Sequence, residues 1–222
     1  MTKYKRPIVY LLGLTVLGIS VSLFQSTNLG MGSWDALNRN FYEGIPLDYK
    51  FITPIMALIL ISLAYLIERK KPDLLMLFPF LISFYIGSVI DLFILFVPNV
   101  QELGLIVNLV YVFSALILVA IGLNMIILCN FPLPALDQFC LAISRKFKIS
   151  FGKGKLIGEA LAFIAAILVG LLYGHQEFFF FLGPNTFIAL LTIGFFVDVF
   201  AKPVKKMIGE INVNRSLRWW FK

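Results

Sequence analysis

Apolar residues in this chain gather into six runs, Pro7–Phe24, Phe51–Ile67, Leu74–Val97, Leu105–Leu128, Leu156–Tyr173 and Phe178–Phe200. Each is long enough to cross the ~30 Å hydrocarbon core of a bilayer as a helix. Transmembrane β-strands would be short and alternating instead. Two longer, half-polar connections, about 25–50 and 129–155, interrupt the pattern, each beginning with Gly or Pro and continuing into a short predicted helix. In the first, Ser33 suits an N-cap, Asp35 falls in the first turn and Gly44 can end the helix. In the second, Pro134 suits the first turn and Asp137 again lies near the start. The expected fold is all-α: one polytopic membrane domain of six transmembrane helices, with half-helix segments between them.

Composition agrees. With 60% apolar and 14% charged residues, against about 45–50% and 25% in soluble domains, the chain reads neither as a soluble globule nor as a disordered polymer. Nineteen Lys+Arg against twelve Asp+Glu give a net +7, but the basic residues flank apolar runs, so membrane orientation is the reading and nucleic acid is not expected. Seventeen lie on one side (Lys3, Lys5, Arg6; Arg69, Lys70, Lys71; Arg145, Lys146, Lys148, Lys153, Lys155; and six in the carboxyl tail), whereas Arg39 and Lys50 are on the other. By the positive-inside rule both termini are cytoplasmic. The first run exceeds the usual signal-peptide core of about 7–15 residues and is read as a retained helix. Cys129 and Cys140 form no CxxC motif and fall on the predicted cytoplasmic side, so no disulfide is expected. With His175 as the single histidine, no metal or other cofactor is expected. The tail from Arg215 to Lys222, with Trp219 and Trp220, suits the lipid headgroup layer, with a partner-docking role as the second reading.

The chain also repeats itself. Asn28-Leu29-Gly30-Met31-Gly32-Ser33-Trp34-Asp35 and Asn130-Phe131-Pro132-Leu133-Pro134-Ala135-Leu136-Asp137 share N-x-[GP]-x-[GP]-x-[WL]-D, 102 positions apart. Ile86-Gly87-Ser88-Val89-Ile90-Asp91-Leu92-Phe93 and Ile193-Gly194-Phe195-Phe196-Val197-Asp198-Val199-Phe200 share I-G-x-x-[IV]-D-[LV]-F, 107 apart. Two matches in the same order place repeat A at 7–100 and repeat B at 105–203, followed by a basic tail at 204–222. Three spans per repeat is an odd number, so the halves enter from opposite sides: the inverted plan common among secondary transporters. Paired Gly/Pro breaks are tolerated at membrane depth only where protein or a wet cavity covers the freed backbone, and they point to a binding site.

The turn Gly30-Met31-Gly32-Ser33-Trp34-Asp35 resembles that of the YczE/YitT group of bacterial multi-pass membrane proteins, where a small-residue turn precedes Trp-Asp after the first helix. The resemblance extends over roughly 7–203 and departs at Ser33, where that group's pattern has proline. It implies a bacterial plasma-membrane protein and supplies no catalytic residue.

Asn28, Gly30, Gly32, Trp34, Asp35, Asn130, Pro132, Pro134 and Asp137 from the first repeated motif, with Asp91 and Asp198 from the second, are the candidate substrate- or ion-binding residues. An Asp at a helix centre costs about 2.5–3.5 kcal/mol on translocon scales, so each intramembrane acid needs a reason. Asp35 has Arg39 at i+4, Asp198 has Lys202 at i+4, and Glu159 has Lys155 at i−4, each consistent with structural pairing. Ile55 stands near the place equivalent to Glu159 in the first half. Asp91 and Asp137 have no such neighbour. Asn108, Asn124 and Asn185 are expected to hydrogen-bond between helices. There is no P-loop, HExxH or G-x-S-x-G, so neither a nucleotide-driven pump nor an enzyme is expected. The expected function is a small secondary transporter for a zwitterionic or cationic solute, coupled to protons or another cation. The alternative is a non-transporting factor that assembles or regulates a membrane partner; a homodimer is a further option. Reporter fusions at residue 148 and at both termini should all report a cytoplasmic location. An external signal at 148 would remove the odd span count on which the inverted plan depends.

Overall fold

The computed structural model describes residues 5–46, 49–69, 71, 77–173 and 181–209. Within them the chain forms eight helices: α1 Lys5–Gln25, α2 Ser33–Gly44, α3 Tyr49–Glu68, α4 Leu77–Phe93, α5 Leu105–Cys129, α6 Ala135–Phe147, α7 Phe151–Leu172 and α8 Pro184–Ile208. Five of them (α1, α3, α5, α7 and α8) are long and apolar enough to cross a membrane, and α4 is a shorter apolar helix of 17 residues. His175, Phe178–Phe180 and the tail beyond residue 209 lie outside the described residues.

The expected boundaries move in informative ways. Among the described residues the third apolar run is helical over Leu77–Phe93, and residues 94–97 turn toward Pro98. The fifth begins at Phe151 rather than Leu156, since Ser150 accepts a hydrogen bond from Lys153 N (3.3 Å) and caps α7. The sixth starts after Gly183, whose N–H donates to Thr186 Oγ1 (3.0 Å), and runs through Pro203 to Ile208. What reads as the start of a tail at 204 is therefore helix. The half-polar connections do fold into α2 and α6. Gly32, not Ser33, is the N-cap of α2, and Pro134 is the N-cap of α6 rather than its first-turn residue.

The main core lies between α1, α5 and α8, where Leu14, Leu17, Leu116, Leu123, Ile126, Ile193 and Val197 pack. Gly13 and Gly122 let α1 and α5 approach until an added Cβ on Gly122 would stand 2.9 Å from the Gly13 carbonyl, the small-residue contact that membrane helices favour. Asn124 Nδ2 donates to Val197 O (2.8 Å), tying α5 to α8. Around this centre α2 packs on α7 and α6 packs on α3, so each short helix rests on a long helix from the other part of the chain. Arg6 fixes the end of α5, donating to the carbonyls of Cys129 and of Asn130 (2.9 Å for the latter). Asn130 holds the left-handed C-cap conformation there, with φ 53°.

α7 and α8 touch through Gly152 and Gly194. A Cβ on Gly152 would overlap the Gly194 carbonyl oxygen and crowd the Asp198 carboxylate. Gly152→Ala should therefore lower stability by about 1–3 kcal/mol through overpacking, read as an earlier thermal unfolding midpoint in detergent. Gly87→Ala, where an added Cβ meets nothing within 4 Å, should be neutral or stabilising by up to about 1 kcal/mol from helix propensity.

Candidate functional site

The repeated acids divide into two kinds. Those of the second half are satisfied by protein. Asp137, in the first turn of α6, accepts from Lys155 Nζ at 2.6 Å, and Lys155 also reaches Glu159 Oε1 at 3.4 Å; all three side chains are buried. Asp198 accepts from Ser150 Oγ (2.5 Å) and Gly152 N (2.9 Å), so it braces the start of α7. The pairing with Lys202 expected from sequence is replaced by these neutral donors, which the Gly152–Gly194 contact brings within reach.

The acids of the first half are open. Asp35 and Asp91, from α2 and α4, line one cavity of about 420 Å³ with Thr53, Ser83, Phe80 and Phe84 among the other walls. Neither has a hydrogen bond or ion pair to any described residue. Asp35 does not pair with Arg39, because Arg39 turns to Glu43 (2.7 Å) and lies over the Tyr42 ring. The Asp35 carboxylate instead lies near Gly32, where an added Cβ would stand 3.3 Å from Oδ2. Asp35 is an exposed side chain that opens onto the cavity. Desolvation by the surrounding protein pushes its carboxyl up to about 6, with the Glu159 charge adding to the rise and Lys155 opposing it. Glu159 and Lys155 both act on the Asp35 carboxyl, so α2, α6 and α7 bring four ionisable side chains within electrostatic range.

The Lys155–Glu159 pairing expected from their i,i+4 spacing is present, but neither residue is among the candidate site residues of the sequence reading. Lys155 counts there as a loop cation, yet it is a buried helical residue, because α7 starts early. Glu159 reads as a member of a local i,i+4 pair, and only folding adds Asp137. Ser33, the first residue of α2, is buried with its hydroxyl directed at the Glu159 carboxyl, and Trp34 Nε1 is buried without a hydrogen-bond partner among the described residues. A lysine four residues before a glutamate at the edge of an apolar run was the one available signal.

The remaining candidates serve the scaffold. Asn28 Nδ2 donates to Gln101 O (2.8 Å), and its N–H to Asn108 Oδ1 (3.2 Å). Gly30, at φ 96°, lies against Gly183, and Asn185 Nδ2 donates to its carbonyl (3.1 Å). Trp34 packs edge-on against Phe139, their ring centroids 6.1 Å apart. Pro132 O accepts from Tyr10 Oη at 2.6 Å. Cys129 and Cys140 are free and buried. Of the expected interhelical asparagines, Asn124 bridges two helices, while Asn108 and Asn185 hold connecting segments.

Removing Lys155 would strand two buried carboxylates. Lys155→Met should cost about 3–5 kcal/mol, and the double variant Lys155→Met/Asp137→Asn should recover part of that loss. A thermal-unfolding double-mutant cycle measures the coupling, and additive effects would argue against a working ion pair.

Comparison with curated proteins and with solved structures yields no match. Residues 4–202 match DUF6198, a family of unknown function, and nothing in that match names the YczE/YitT group. The match spans both repeated motifs and every helix of the site, and the chain belongs to the DUF6198 family.

Proposed function

We propose that this chain is a small secondary transporter, built as two inverted repeats, for a cationic or zwitterionic polar solute. The observation that carries the reading is that Asp35 and Asp91, from separate helices, line one cavity without a hydrogen-bond or ion-pair partner among the described residues. A carboxylate without a partner at such a place is costly, and a bound cation or a proton is what offsets the cost. The repeat reading draws support from packing: α2 on α7 and α6 on α3 are the contacts that a two-fold exchange of halves would interconvert. Helix starts agree with it, since α2 and α6 begin at Ser33 and Ala135, 102 positions apart, the offset of the first repeated motif.

In this reading the halves rock about the cavity, and Asp35 and Asp91 hold the solute's positive charge. Asp137, Lys155 and Glu159 form a fixed charged wall behind Asp35. The plasma membrane, cytoplasmic termini and likeness to the YczE/YitT group belong to the same proposal. They rest on the basic-residue asymmetry and the Gly30–Asp35 motif.

Reconstituted in liposomes, the protein should move small amines or amino acids down an imposed proton or cation gradient. Asp35→Asn and Asp91→Asn should each abolish flux while leaving expression intact. Cation binding needs ionised Asp35, so uptake should fall as the pH on the cavity side drops through about 6. Flux that is unchanged in the Asp35→Asn/Asp91→Asn protein would reject the site. No flux across a broad metabolite panel, with one stoichiometric partner co-purifying, would favour a factor that regulates another membrane complex.

A further inference from the structure

The 102-position offset of the first repeated motif, which the starts of α2 and α6 share, makes the two halves comparable. It sets Asp35 against Asp137 and, carried on into α3 and α7, Thr53 against Lys155 and Ala57 against Glu159, two residues beyond the Ile55 that sequence alone suggests. In the second half, the Lys155 ammonium rests 2.6 Å from Asp137 and 3.4 Å from Glu159. In the first half, Thr53 and Ala57 are short side chains lining the cavity beside Asp35. The space that one half fills with lysine is open in the other. The second motif pairs Asp91 with Asp198, 107 positions apart. Asp198 is satisfied by Ser150 and Gly152, while Asp91 faces the cavity.

Building on the transport reading, we infer that the cavity takes a small primary ammonium compound, its –NH₃⁺ resting on Asp35 where Lys155 Nζ rests on Asp137. The second half carries a tethered copy of the ligand's head group. A primary ammonium offers three donors, and Asp35, Asp91 and the hydroxyls of Thr53 and Ser83 supply oxygen acceptors around the open volume. Phe80 and Phe84 add aromatic faces, which attract a cation and accommodate a short carbon chain.

The test is equilibrium binding of radiolabelled methylammonium to the purified full chain in detergent, with competition by ethanolamine and tetramethylammonium. Saturable binding is expected, displaced by ethanolamine, with tetramethylammonium weaker by about tenfold or more, a difference of about 1.4 kcal/mol. Asp35→Asn should weaken binding by a similar factor. Thr53→Lys, which gives Asp35 its own tethered ammonium, should abolish binding and raise the thermal unfolding midpoint, whereas Thr53→Ala should retain binding. If Thr53→Lys does not fold, Asp35→Asn decides. Equal competition by tetramethylammonium, wild-type binding by Asp35→Asn or Thr53→Lys, or no methylammonium binding by the native chain would each overturn the inference. Binding without liposome flux would preserve this inference and overturn transport. Flux of a solute without an amine, with no methylammonium bound, would do the reverse.

Discussion

The Lys155 ammonium, held between Asp137 and Glu159 in the interior of an apolar bundle, is the interaction around which the rest of the site is arranged. Burying an ion is costly, and a pair in a dry interior is tolerated only with close geometry. Here the contact fixes the first turn of α6 against α7, and α2, packed on the same helix, delivers Asp35 to the edge of the group. The charges behind the cavity are therefore anchored, and those facing it are not. The candidate site thus combines an anchored charged wall with a polar opening.

The glycine contacts explain how the helices come close enough for this. Gly152 against Gly194 brings α7 within reach of Asp198, and Gly13 against Gly122 closes α1 on α5. Neutral hydrogen bonds from Asn40 to Ala166 O (2.8 Å) and from Asn124 to Val197 O then fix the register of α2 on α7 and of α5 on α8. Such bonds contribute modestly in membranes, around 0.6 kcal/mol each. Their larger effect is on register, because each also satisfies a carbonyl within a helix that cannot slide without losing it.

Much of this is legible in the sequence and some of it cannot be. The apolar runs mark the long helices because bilayer thickness dictates their length, and the short helices α2 and α6 are announced by Gly-x-Gly and Pro-x-Pro. The repeated motifs single out Asp35, Asp91, Asp137 and Asp198 before any coordinates. What sequence spacing misassigns are the partners. An i+4 neighbour is the nearest cation along a helix, yet Arg39 turns to Glu43 and Asp198 to a helix start 48 residues away. Lys155 hides among loop cations because the beginning of α7 depends on a serine cap rather than on hydropathy. Linear patterns report which residues are unusual; only tertiary packing reports which of them are left without company.

One scaffold feature has a mechanical side. The Leu29–Met31 segment and the start of α8 are joined by Asn185 N to Leu29 O (2.7 Å), Asn185 Nδ2 to Gly30 O, Met31 N to Phe181 O (3.2 Å) and Thr186 Oγ1 to Met31 O (2.5 Å), over the Gly30–Gly183 backbone contact. Four bonds between two short, stiff segments cannot be released one by one, since loosening any of them pulls the backbones that carry the others. This end of the bundle therefore behaves as a snap fastener rather than a hinge: it is either shut or fully parted, with no half-open position in which to rest.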